Sequence, residues 1–123
     1  MPPILHLASR TAWLAAVDQG CYRPDSLLTE GFIHCSKPAQ IVEVANAFYH
    51  GQPGLVLLVI EPTRLTSELK WEAPSGLAPS QAHANDLFPH IYGPLNLEAV
   101  TEVIPFEPTE DGTFKLPASK LQI

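Results

Sequence analysis

Gly31-Phe32-Ile33-His34-Cys35-Ser36, followed without a break by Lys37 to His50, is the stretch that decides the fold. Its first part reads as a short apolar strand. The second carries Ile41, Val44, Ala45 and Phe48 at i, i+3, i+4 and i+7, the spacing of one buried helix face. Ser36 is well placed to cap that helix, with Pro38 in its first turn. A strand that becomes a helix here delivers a histidine and a hydroxyl to the junction, where backbone donors can meet an anionic ligand.

Working outward, Pro3 to Leu7 reads as a first strand, and Ser9 or Thr11 caps a helix with Trp13, Ala16 and Val17 on one face before Gly20 ends it. Cys21 to Pro24 reads as a short extended piece and Asp25 to Glu30 as a loop. After the central helix, Pro53-Gly54 turns the chain into Leu55 to Ile60, a continuous apolar run expected as a strand buried on both faces. Leu69 to Glu72 and Ala99 to Phe106 read as further strands, with a long loop from Pro74 to Leu87 between them. Glu110-Asp111-Gly112-Thr113 reads as a hairpin turn, making Phe114 to Leu116 a last strand and leaving 116–123 as a tail. Two main helices in the N-terminal half and about six short strands predict a single α+β domain over residues 1–123.

Seven basic and thirteen acidic residues give a formal charge of −6, which disfavours a general nucleic-acid binder and leaves room for a small anionic ligand in a local pocket. Thirteen prolines are spread along the chain, so they read as punctuation between elements. The two cysteines, Cys21 and Cys35, form no CxxC pair, and with no secretory pattern at the N-terminus a reduced, cytoplasmic setting is expected. The longest apolar run is too short to cross a bilayer, so no membrane partner is expected. Five histidines occur without HxH, HExxH or CxxC, and no metal is expected.

Several polar residues have two readings. His6 alternates with Leu5 and Leu7, so its ring faces away from theirs, either as a structural histidine or towards a cleft. His34 and Ser36 share one strand face and suit a polar pocket, although capping alone accounts for a serine before Lys37-Pro38. His90 and Tyr92 repeat the period of two just before Gly93-Pro94, where they can stack on a flat ring or pack in the core. Trp71 and Glu72 face opposite ways; if the tryptophan is core, Glu72 is exposed or in a cleft and is the best acid available.

Ile4-Leu5-His6, Glu30 to Ser36, the helix containing Asn46, the strand Leu55 to Pro62, Trp71-Glu72 and Phe88-Pro89-His90-Ile91-Tyr92-Gly93-Pro94-Leu95 together resemble a bacterial family of small proteins known only as a domain of unknown function. The resemblance covers about residues 3 to 115. That family is grouped with the ADP-ribosyltransferases, so the resemblance implies a bent, split β-structure and a cleft for NAD or an ADP-ribose-like ligand. A narrower similarity, through His34, Cys35 and Ser36, then Gly51 to Pro53, then Val56 to Ile60, is to the RNA 2′-phosphotransferases. In the wider superfamily an early-strand histidine holds a ribose hydroxyl, and His6 is the matching position. The chain departs from the phosphotransferases in lacking their nucleic-acid-binding lobe, an arginine set for a 2′-phosphate, and an alignable transferase glutamate.

These readings predict a small nucleotide-like partner, NAD or ADP-ribose in type, bound by His6, His34, Ser36, His90 and Tyr92, without tight nucleic-acid binding. If there is turnover, Glu72 and His34 are the catalytic candidates, with Glu72 orienting a ribose hydroxyl or stabilising charge as nicotinamide leaves. The alternative is a non-enzymatic binding or interaction module that keeps the cleft without the chemistry.

Overall fold

The computed structural model describes residues 2–73 and 87–115, and within them the chain runs β1 (Ile4–Ser9), α1 (Arg10–Gln19), β2 (Cys21–Tyr22), α2 (Ser26–Thr29), β3 (Ile33–His34), α3 (Pro38–Phe48), β4 (Leu55–Ile60), β5 (Glu68–Glu72), β6 (Phe88–Tyr92), β7 (Leu95–Asn96) and β8 (Val100–Phe106). Local chemistry sets the helix ends. Ser9 Oγ accepts the Ala12 N–H at 3.1 Å, and Gly20, at φ 90°, closes α1 with its N–H on the Ala16 carbonyl. That left-handed value is open to glycine without a Cβ penalty. At the start of α3 the Gln40 side chain reaches back and accepts the Lys37 N–H at 2.8 Å.

The strands form a sheet ordered β1-β4-β8, a second ordered β3-β6-β5, and the short pair β2-β7, with every pairing among them antiparallel. The first two sheets meet at one backbone bridge, where Leu5 and Ser36 exchange N–H···O bonds of 2.8 Å each. β4 occupies the centre of its sheet and all six of its residues are buried. Val56, Leu58 and Ile60 face a core shared with Ala16, Tyr22, Ile33 and Ile91, while Leu55, Leu57 and Val59 face a second shared with Ile41, Ala45, Phe106 and Phe114. The alternation of a strand thus puts one sheet between two apolar clusters. His6 lies on the same face of β1 as Ile4 and Ala8, towards the first of them.

The α+β class and the single small domain hold, and all three α-helices among the described residues lie in the N-terminal half. Among the described residues eight strands occur where about six were expected: β1, β3, β4, β5 and β8 answer expected strands, while β2, β6 and β7 add three. Asp25 to Glu30, expected as a loop, contains the single turn α2. The residues 107–109 and 113–115 around the Glu110–Thr113 turn form no strands, while Leu116 and the tail lie outside the described residues, as does the Pro74–Leu87 loop up to residue 86. The turn itself is closed by the Thr109 N–H, which donates to the Thr113 carbonyl at 2.8 Å, and Asp111 accepts from both threonine hydroxyls. Those bonds hold the Asp111 carboxyl well below the usual carboxylate range.

Val17 and Phe48 depart from the expected core, Val44 is only partly buried, and Trp71, whose core placement was one of two readings, lies partly exposed. Val17 is half exposed, Trp71 is 39% exposed, and Phe48, in the last turn of α3, is 49% exposed. Ser36 is not the helix cap either; Lys37 holds that position, and Ser36 is buried at the bridge to Leu5. Cys35 is buried as expected, and burial pushes its thiol pKa well up.

Phe48→Ala is therefore expected to cost less than about 1 kcal/mol, whereas Ile41→Ala should cost ~2 to 5 kcal/mol. Equilibrium urea denaturation checks the pair, and equal losses would show that the Phe48 ring carries core packing after all.

Candidate functional site

Where the two sheets meet, the His6 imidazole is held from both sides. Its Nδ1–H donates to the His34 carbonyl at 2.5 Å, and its Nε2 accepts the Tyr22 hydroxyl proton at 2.8 Å. The carbonyl has no proton to give, so it fixes which ring nitrogen carries the hydrogen. His6 is 8% exposed, and burial lowers its pKa from 6.5 to about 4, outweighing the stabilising bond to His34. The ring is therefore neutral near pH 7. Tyr22 is buried too, which raises its pKa, so its phenol stays protonated.

Both residues line an open cavity of about 490 Å³ between β1, α1 and the segment from Cys21 to Ser26. Arg23, Asp25, His34, Tyr49 and Gln52 are among its other polar lining residues. The Arg23 Nε donates to Cys21 Sγ at 3.2 Å, which leaves the rest of the guanidinium fork for a ligand. His34 is held at Nε2 by Glu30 Oε2 at 2.7 Å, with both side chains about 40% exposed. At that exposure the contact orients the ring and adds little stability.

A second polar cluster occupies the face of the β3-β6-β5 sheet, where register sets His34, His90 and Lys70 side by side. Glu72 Oε1 accepts from Tyr92 Oη at 2.5 Å and from His90 Nδ1 at 2.8 Å. The Tyr92 bond first, then the His90 bond, hold the Glu72 pKa below its ordinary value, and the same Glu72 bond raises Tyr92. Phe32 stacks on His90 with ring centroids 4.2 Å apart, and His34 meets His90 edge-on at 5.5 Å. Lys70 Nζ sits 4.7 Å from the Tyr92 ring centre.

The sequence candidates thus divide between two places. His6 and His34 line the cavity, whereas His90, Tyr92 and Glu72 form the second cluster, with His34 adjoining both. Ser36 lies at the bridge between the sheets and is not among the cavity's lining residues. Reading the sequence missed Tyr22, Arg23 and Tyr49, because a two-residue strand shows no periodicity and Tyr49 follows the end of α3. Among the described residues no three His, Cys, Asp or Glu side chains gather as a metal site, and no helix is long and apolar enough to cross a membrane.

Residues 7–103 match a family described as protein of unknown function (DUF952), and the chain belongs to that family. It is similar to protein CC0527 of Caulobacter crescentus in crystal, with 36% identity over 93% of this chain and 94% of that one and a TM-score of 0.79. A crystal structure of a double mutant of that protein gives the same identity and coverage with a TM-score of 0.78. Its solution NMR structure is 38% identical over 92% of this chain and 91% of that one, with a TM-score of 0.73. No curated protein matches the chain.

The neutral His6 has a consequence for stability. Between pH 6.5 and about 4 the unfolded chain binds a proton at this residue that the folded chain rejects. Stability present above pH 6.5 should fall as the pH drops through that window, by on the order of 3 kcal/mol. Urea denaturation from pH 7 to pH 4 should show this slope in the native protein and not in His6→Gln. Parallel profiles would put the pH dependence on other groups.

Proposed function

We propose that this family member binds a small nucleotide-type ligand, of which ADP-ribose and NAD are the nearest chemical types, in the cavity beside His6. The observation that carries the reading is one concave space lined by a guanidinium, two phenols and two imidazoles, with one carboxylate, Asp25, beside them. A volume of about 490 Å³ falls within the ~300–1,000 Å³ usual for small-molecule sites. Arg23 suits a diphosphate, since its planar fork can take two phosphate oxygens at once. Tyr49 offers a flat ring for a base, and the polar groups around Tyr22 suit sugar hydroxyls. The resemblance to the ADP-ribosyltransferase fold favours the same ligand class.

Binding without transfer is the form favoured here. Glu72, the acid that transfer chemistry would draw on, is occupied by His90 and Tyr92 and is not among the cavity's lining residues. One observation favours a transferase-like second reading: His34 at the cavity is held by a carboxylate, the arrangement of a general base. Transfer from NAD would release nicotinamide, and binding alone would not.

ADP-ribose or NAD at ~100 times its dissociation constant should stabilise the folded chain by about 2.7 kcal/mol, read as a rise in Tm. Arg23→Gln should weaken that response by about tenfold in ligand concentration, while Glu72→Gln should leave it in place. No shift with either ligand would sink the reading, and nicotinamide release that depends on His34 would favour the transferase form. The −6 charge also predicts no tight binding of a structured RNA at physiological salt, checked by fluorescence anisotropy.

A further inference from the structure

The hydrogen bonds around His6 determine what the cavity can recognise at Tyr22. We propose that Tyr22 Oη acts only as a hydrogen-bond acceptor and selects a ligand group that carries a proton, a sugar hydroxyl or an amide N–H, against a bare oxyanion. The inference rests on the ligand class proposed above and specifies how one part of it is recognised.

The His34 carbonyl accepts from His6 Nδ1, so the hydrogen of the neutral ring sits on Nδ1 and the lone pair on Nε2. Tyr22 Oη is 2.8 Å from that lone pair, and only its own hydrogen can make the bond. The hydroxyl proton is thereby directed at His6, and among the described residues Oη makes no other hydrogen bond. What remains on Oη is lone-pair density, within a residue that lines the cavity. A phosphate or carboxylate oxygen placed there would meet lone pair with lone pair, whereas a hydroxyl or N–H group would find an acceptor.

His6 has a different role from a ligand contact. Both of its ring nitrogens are already committed, so it positions the Tyr22 hydroxyl and fixes its direction. Anionic groups are left to Arg23, on the same lining. The cavity thus offers an acceptor at Tyr22 and a cationic donor at Arg23, with the Asp25 carboxylate as a further acceptor on the same lining, a set that suits a sugar phosphate through its hydroxyls and its anion.

Two measurements test this. In the ligand-free protein, nitrogen-15 NMR of the imidazoles should show His6 protonated at Nδ1 with a pyridine-like Nε2; a proton on Nε2 overturns the proposal whatever the ligand does. Binding of ADP-ribose and of D-ribose is then measured by calorimetry and NMR titration in the native protein, Tyr22→Phe and Arg23→Gln. Tyr22→Phe should weaken both probes by about tenfold, and Arg23→Gln should weaken ADP-ribose while leaving D-ribose unchanged. Ribose bound in a Tyr22-dependent way without ADP-ribose would keep this proposal and sink the nucleotide reading. ADP-ribose bound equally by native protein and Tyr22→Phe would do the reverse, and binding of neither probe would overturn both.

Discussion

Six consecutive apolar side chains on β4 have to be covered from two sides, and the rest of the domain is arranged to meet that demand. On one side the answer is α3, whose Ile41 and Ala45 pack with Leu55, Leu57 and Val59. On the other it is α1 together with the second sheet, through Ala16, Ile33 and Ile91. Each fully buried aliphatic side chain contributes roughly 1.5–3 kcal/mol relative to exposure, so neither covering layer can be removed without unfolding the domain. A helix laid across a sheet and a second sheet meeting it at one bridge do not fill space equally. The cavity lies on the α1 side, where the covering is assembled from separate short pieces.

The polar site is a corollary of the same packing. The face of β1 that carries Ile4 and Ala8 also carries His6, so an imidazole enters an apolar layer. An unpaired ring nitrogen there would cost on the order of 1–3 kcal/mol, and both nitrogens are paired. The partners come from β2 and β3, so the histidine also ties three strands of three separate pairings together. Among the described residues no buried side-chain nitrogen or oxygen lacks a partner.

The backbone plan was legible where a pattern is long enough to have a period. Leu55 to Ile60 announced a doubly covered strand, the caps Ser9 and Gly20 announced α1, and the Ile41–Ala45 stripe announced α3. Phe48 shows the limit: helical phase gives its direction, but at the last turn of α3 its ring is left half exposed. The local sequence of Ser36 suits a cap, yet a bridge to Leu5, distant in sequence, claims its backbone. For Glu72, alternation gave the face and the antiparallel register gave His90 and Tyr92 as its partners, which only the fold can supply.

The buried Cys35 thiol gives the folded chain an internal clock. Thiolates, not thiols, attack alkylating reagents, and a group that is both enclosed and held protonated reacts only when the chain opens around it. Cys21, at the partly exposed rim of the cavity, has no such enclosure. Two residues of the same chemistry therefore report different events in one labelling experiment. Modification at Cys21 follows access to the cavity, and modification at Cys35 follows the rate at which the two sheets come apart.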